Sequence, residues 1–270
     1  MSKHIQLTEK EFSGFSPHPL LITHLETYRL EKNVSPRELT VLDWGCGRGR
    51  TVLWLKEHGY NAFGIDIDQE PIQNGVGLFI SKGYDSSCLK LVSSEGHTDF
   101  QDNYFDFIIS DQVFEHVKNL EAVALENRRL LKNDGIGLHI YPAHYHIIEG
   151  HLFMPFIHWL PKNFLRKYFI IFFAILGMDP DWPEVRNFSL LDKCDYYYHY
   201  SINKTFYRKP VSVKNIFINQ MFDVKFITID DPYFINHPIF GRFVNNRFCK
   251  WLINWVLITF VSVELLISKK

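Results

Sequence analysis

The chain has 270 residues, enough for one large α/β domain or a core carrying an inserted segment, and its formal net charge of −1 gives no basis for the phosphate-dominated binding that nucleic acid requires. Its four cysteines, Cys46, Cys88, Cys194 and Cys249, form no CxxC pair, which fits free thiols in a reducing compartment better than a disulfide framework. Residues Met1 to Ser16 are polar and mixed in charge, without the basic-then-apolar order of a secretory leader, so a cytoplasmic protein is expected.

Ser16-Pro17 followed by Leu21, Ile22, Leu25 and Tyr28 has helical spacing and predicts an amphipathic helix over 17–32, broken by Ser35-Pro36. Thr40-Val41-Leu42-Asp43 reads as a short buried strand ending in a carboxylate and running into Gly45, Gly47 and Gly49. A helix over Thr51 to His58 is closed by Gly59, and Asn61 to Ile65 forms a second strand that ends in Asp66. Leu89 to Val92 and Phe105 to Ile109 are strands three and four. Asn119 caps a helix running to about Leu131, and Asn133-Asp134-Gly135 turns into a fifth strand, Ile136 to Tyr141. Strands alternating with helix-length segments imply an α/β fold, a mostly parallel sheet with helices on both faces.

After Pro142 the rhythm fails. Residues up to about 205 are rich in His, Phe, Trp and Pro and read as an inserted cap, giving a core over 1–141, a cap over 142–205 and the rest of the core over 206–270. Regular order returns with a helix near Val211 to Met221, a strand Asp223 to Ile229, a further helix and a last, antiparallel strand ending at Ser268. The apolar run Tyr168 to Met178 is too short to cross a bilayer, and Trp251 to Ile267 contains Asn254 and Glu264. The second run is read as a buried helix leading into a terminal edge strand. The first follows Lys162, Arg166 and Lys167, which leaves open a helix lying on a membrane surface.

The informative segment is Val41-Leu42-Asp43-Trp44-Gly45-Cys46-Gly47-Arg48-Gly49. Alternate glycines let the backbone turn tightly and approach a ligand where a Cβ would collide, at the carboxyl end of a strand, where open α/β sheets bind ligands. The spacing is GxGxG with Arg50 following, not the dinucleotide fingerprint GxGxxG. Asp43 repels a pyrophosphate but attracts the ammonium and sulfonium of S-adenosylmethionine (SAM). Asp66, 21 residues beyond Gly45, can accept hydrogen bonds from ribose hydroxyls, with Ile67 beside it to pack on adenine.

These residues resemble the class I SAM-dependent methyltransferases, particularly the methyltransferase-11/23-like group: VLDWGCGRGRTVLWLKEHGYNAFGIDID, then FDFIISDQVFEHV, then LLKNDGIGLHIYP, covering 40–141. The resemblance implies a Rossmann-like core in which Asp43, Gly45, Cys46, Gly47 and Gly49 bind the methionine end of SAM and Asp66 the ribose. It places Ser110, Asp111 and Gln112 beside the sulfonium. The family's acid near the adenine amino group is replaced here by Ser93-Ser94-Glu95, with Glu95 as its substitute.

His144, His146 and His151, with Glu149 among them, follow the fifth strand and are candidate bases for a hydroxyl acceptor, as is His116 in Phe114-Glu115-His116. No fourth ligand or cysteine partner accompanies them, so no metal is expected. The stretch Glu149 to Pro161 looks like a cap of methyltransferases in bacterial polysaccharide and lipid-linked glycan pathways. Phe153, Phe156, Trp159 and Tyr196-Tyr197-Tyr198 are candidates to line an acceptor groove. The sequence thus points to O-methylation of a glycan or other hydroxylated acceptor, with peripheral membrane contact if that acceptor is lipid-linked. A small apolar acceptor of quinone or polyketide type, and a SAM-fold binding protein without turnover, stand as alternatives.

Overall fold

The computed structural model describes residues 8–270 apart from 94, 95, 239, 240, 242 and 244. Seven strands, β1 (Thr40–Trp44), β2 (Asn61–Asp66), β3 (Leu89–Leu91), β4 (Phe105–Asp111), β5 (Leu131–Pro142), β6 (Phe222–Phe226) and β7 (Ser262–Lys269), form one sheet in the order β3-β2-β1-β4-β5-β7-β6. Pairing is parallel from β3 through β5, and β7 runs antiparallel to both its neighbours. The carboxyl ends of β1, β2 and β4 therefore open at one edge of the sheet, on either side of the point where strand order reverses, where such sheets bind ligands.

Helices α1 (Glu9–Phe12), α2 (Pro19–Lys32), α3 (Arg50–Glu57) and α4 (Gln69–Ser81) precede β3; α5 (Leu120–Leu130) precedes β5. One apolar cluster joins α2, α3 and α4 to one sheet face through Leu21, Leu25, Val52, Phe79 and Ile140. A second joins α5 and α8 (Pro210–Asn219) to the other face through Leu120, Val123, Phe217 and Leu265. Local chemistry sets the helix starts: His18 caps α2 ahead of Pro19, Asp68 caps α4, and Asn119 caps α5 through its bond from the Ala122 N–H.

Between β5 and α8 lie α6 (Phe164–Ile175) and α7 (Leu190–Asn203), which pack on each other around Ile170, Phe173, Cys194 and Tyr197, a hydrophobic cluster separate from those of the sheet. The chain closes with α9 (Pro232–Ile235), α10 (Arg247–Phe260) and β7.

Three expectations are corrected. The final strand is not an edge: β7 lies between β5 and β6, so its apolar residues are covered on both sides, and β6 is the edge. The helix before it is not buried: α10 buries only Leu257, leaving Phe248, Trp251 and Trp255 at 68%, 62% and 50% exposure. Asn133 to Gly135 do not turn into β5 but lie within it, where the β4 pairing shifts register between Phe105 and Phe107. A bulge absorbs the extra residues that a turn was expected to take. Among the described residues no helix is long and apolar enough to cross a membrane.

Candidate functional site

The glycine segment turns at the end of β1 with Gly45, Gly47 and Gly49 at φ +80°, +52° and +74°, a region that costs an L-residue about 1–2 kcal/mol. The three glycines differ in what surrounds them. A Cβ on Gly45 would lie 2.4 Å from Val113, and one on Gly49 would meet Leu89 and Phe79, so these two make room for the protein itself. A Cβ on Gly47 would meet nothing within 4 Å; its bareness leaves an opening. Gly75 on α4 lets that helix rest against the Arg48 carbonyl, where a Cβ would come within 2.2 Å. Cys46 is buried beneath the loop.

Acidic groups flank the opening. Asp43 is paired with Gly64 and Ile109, and Asp66 and Asp111 lie two residues beyond these partners on their own strands, so strand alternation puts all three on one sheet face. Asp66 accepts from the Gly47 N–H at 2.7 Å and the Asp68 N–H at 2.9 Å, which ties the two strand ends together. Asp43 is buried, and desolvation, then the charges of Asp111 and Asp66, push its pKa up to about 8. Burial also raises Asp111, against the opposing influence of His18. A row of carboxylates in which burial disfavours the charge of Asp43 and Asp111 is a site that gains from an incoming cation. The opening at Gly47 and this row fit SAM: Asp43 and Asp111 suit its ammonium and sulfonium, Asp66 its ribose. Ile67 is 62% exposed and free to cover an adenine. Glu95 lies outside the described residues.

Ser110 alternates away from this row. It is fully buried and bonded to His139 Nδ1 at 2.8 Å, with Phe114 stacked on the His139 ring. Gln112 adopts φ +57° and donates its N–H to the Ile140 carbonyl, so the chain turns sharply after Asp111.

That turn carries Glu115 and His116 toward the segment after β5. His116 Nε2 and His151 Nε2 are 3.0 Å apart. His116 Nδ1 faces the Lys204 carbonyl at 2.7 Å and His151 Nδ1 faces Glu149 Oε1 at 2.9 Å. A carbonyl and a carboxylate can only accept, so both Nδ1 atoms carry hydrogen and both Nε2 atoms are left to share one proton. Glu149 is buried and also accepts from the Tyr207 hydroxyl at 2.7 Å. Burial opposes its charge, but the bonds from His151, Leu152 and Tyr207 prevail and hold its pKa down at about 2. For His151 burial likewise opposes the charge, and Glu149 outweighs it and raises the pKa; desolvation lowers that of His116. The pair's proton therefore belongs first to His151. Both rings are partly exposed, at 34% and 26%.

The other two candidates stand apart from this contact. His144 is half-buried, its pKa lowered by desolvation, and His146 Nδ1 is engaged with the Ile148 carbonyl at 2.6 Å. Phe153, Phe156 and Trp159 are exposed, and the Trp159 indole donates to the His146 carbonyl at 3.1 Å. Tyr197 is fully buried with its hydroxyl on the Pro180 carbonyl, part of the small core beneath the segment's surface.

Two groups bring three ligand atoms within 4.8 Å of one another: Glu115, His116 and His151, and separately His18, Asp231 and Glu264. Glu115 is buried without a hydrogen-bond partner for either oxygen, and desolvation raises its pKa to about 7. Sequence reading gave no site role to Tyr207, His18, Asp231 or Glu264. One signal was present for Glu264, a carboxylate inside an otherwise apolar strand; Tyr207 and Asp231 carry none, because only folding brings them to the site.

The fold and these strand ends define a Rossmann-like methyltransferase sheet. Residues 42–138 match the family model described as a methyltransferase domain. It is similar to an uncharacterised protein of Methanocaldococcus jannaschii, 33% identical over 106 residues, which are 39% of this chain and 42% of that one. It is also similar to a ubiquinone biosynthesis O-methyltransferase of Rickettsia bellii, 30% identical over 101 residues, 37% of this chain and 41% of the relative. The matched parts thus span about two fifths of these relatives' lengths. Among solved structures it superposes on PKMT2 from Rickettsia typhi, in complex with AdoHcy, with a TM-score of 0.55 and 14% identity over 95% of this chain and 55% of that one. A SAM-dependent methyltransferase from Mesorhizobium loti gives 0.54 and 12%, over 96% and 100%. These structural likenesses show the fold.

Proposed function

We propose that this chain is an enzyme that transfers a methyl group from SAM to a hydroxyl oxygen of its acceptor, with the His116–His151 pair receiving the proton. The observation that carries the reading is the Nε2 to Nε2 contact of 3.0 Å, on loops that follow β4 and β5 beside the acidic row. SAM supplies an activated methyl group when bound. Asp43, Asp66, Asp111 and the bare backbone at Gly47 would hold it. The pair, once free of its own proton, takes up the hydroxyl proton and keeps it between the two Nε2 atoms, while Glu149 fixes the His151 ring and tautomer. Val113, seated against Gly45, ties the loop bearing His116 to the cofactor turn.

The acceptor in this reading is a glycan or a similar hydroxylated molecule. Exposed Phe153, Phe156 and Trp159 offer faces on which a sugar ring can lie. A lipid carrier is supported by the outward aromatic side of α10 and by Phe164, Tyr168, Phe172 and Ile175 on α6. The Rickettsia relative favours a second acceptor class, a small apolar molecule of quinone type. Calorimetry with S-adenosylhomocysteine (SAH), followed by transfer of labelled methyl into cell extracts and mass spectrometry of the product, tests all of this. Absence of SAH binding sinks the whole reading; the mass of the labelled product separates glycan from quinone.

A further inference from the structure

Beyond the acidic row, on the same face of the sheet, lies a cleft of about 580 Å³ to which the proposed chemistry assigns no role. Glu264 on β7 is in register with Ile140 on β5, which is itself paired with Asp111 on β4, so Glu264 stands two strands along from Asp111. Glu264 is 1% exposed; its Oε1 accepts from the Ser262 hydroxyl at 2.8 Å, and its Oε2 is buried without a partner. Asp231, also buried, accepts the Tyr233 N–H on Oδ1 at 2.8 Å and turns Oδ2 toward His18 Nε2 at 3.5 Å. Pro19, Pro232, Tyr233 and Phe234 complete the lining.

The donor and acceptor pattern selects the ligand. His18 Nδ1 accepts the Leu20 N–H at 3.3 Å, so the hydrogen of a neutral ring sits on Nε2 and leaves no lone pair there for a metal ion. What remains is two carboxylates beside aromatic rings, a combination that suits an ammonium group by hydrogen bonding and by attraction to a ring face.

We infer that this cleft holds a protonated amine carried by the acceptor, gripped by Glu264 and Asp231 against Tyr233 and Phe234. An ammonium nitrogen has no lone pair, so it is an anchor and not the methyl recipient. The inference deepens the methyl-transfer reading and rests on it for the acceptor's identity.

The test compares benzylamine with its neutral counterpart benzyl alcohol by NMR titration of the full chain at neutral pH, with and without SAH. Benzylamine is expected to bind about tenfold or more tightly than the alcohol. Glu264→Gln is expected to remove that preference while leaving SAH affinity unchanged. Equal affinity for the two probes in the wild-type protein overturns the inference without any variant. So does displacement of SAH by benzylamine, which returns the cleft to the cofactor, or competition from Mn²⁺ that Glu264→Gln abolishes, which makes it a metal site. Because the probes are also titrated without SAH, failure of SAH binding counts against methyl transfer, and indifference to the amine counts against the anchor.

Discussion

Alanine at Gly47 and alanine at Gly45 are expected to fail in opposite ways. Both positions have positive φ, so each substitution costs about 1–2 kcal/mol of backbone strain. At Gly45 the new methyl group would lie 2.4 Å from Val113, a stiff side chain, and overpacking adds about 1–3 kcal/mol. At about 2–4 °C per kcal/mol for a chain near this size, Gly45→Ala lowers Tm by roughly 10 °C. At Gly47 the methyl group meets nothing, and the N–H that Asp66 accepts is retained, so Tm falls only a few degrees. The same methyl group stands where SAM should lie, and an overlap of 1–3 kcal/mol weakens binding about 5- to 150-fold. Differential scanning fluorimetry reads the first effect and SAH calorimetry the second. Wild-type SAH affinity in Gly47→Ala would refute the assignment of that opening to the cofactor.

The histidine pair makes a second prediction. In the proposed mechanism the shared proton must be absent, and Glu149 raises the His151 pKa, so activity should climb with pH through a value above the ordinary 6.5. Glu149→Gln removes that support, and the acid limb of kcat/KM against pH should move to lower pH; an unmoved limb excludes His151 as the proton's holder. A third concerns Asp43, whose pKa rises from 3.8 to about 8 on folding, so its charged form is disfavoured in the fold and it lowers stability progressively as pH climbs between those values. A cationic cofactor reverses the preference, so SAM binding at pH 7 should release protons, read as a dependence of calorimetric heat on buffer ionisation enthalpy. Asp43→Asn should abolish the release and raise the Tm of the unliganded protein at pH 8. Finally, Trp251→Glu on the outward side of α10 should reduce co-sedimentation with anionic lipid vesicles; if wild-type protein does not sediment with them, the lipid-carrier proposal fails.

Much of the core was legible because its signals are local. The β1 residues, the glycine spacing and the acid ending β2 specify strand, turn and helix through alternation, positive φ and capping, and each acts within a few residues of itself. The carboxylate row follows from period-2 alternation once the strands are placed. The position of β7 was not legible, since an apolar run reads alike at an edge and inside a sheet and only strand order distinguishes them. Nor was the exposure of α10: composition says that its face is apolar, not whether another element covers it.

The sequence by itself determined the glycine turn and the acids that flank it, the half proposed to hold the cofactor, because that half is assembled from contiguous segments whose residues also build the sheet. Tertiary structure alone decided the half proposed to serve the acceptor. His116 meets His151 across 35 positions, Tyr207 reaches Glu149 across 58, and Glu264 lies beside Asp231 and His18 only because β7 inserts next to β5. Side chains so far apart in the chain leave no periodic or spacing pattern to read; their chemistry arises from packing, which fixes donor, acceptor and burial together.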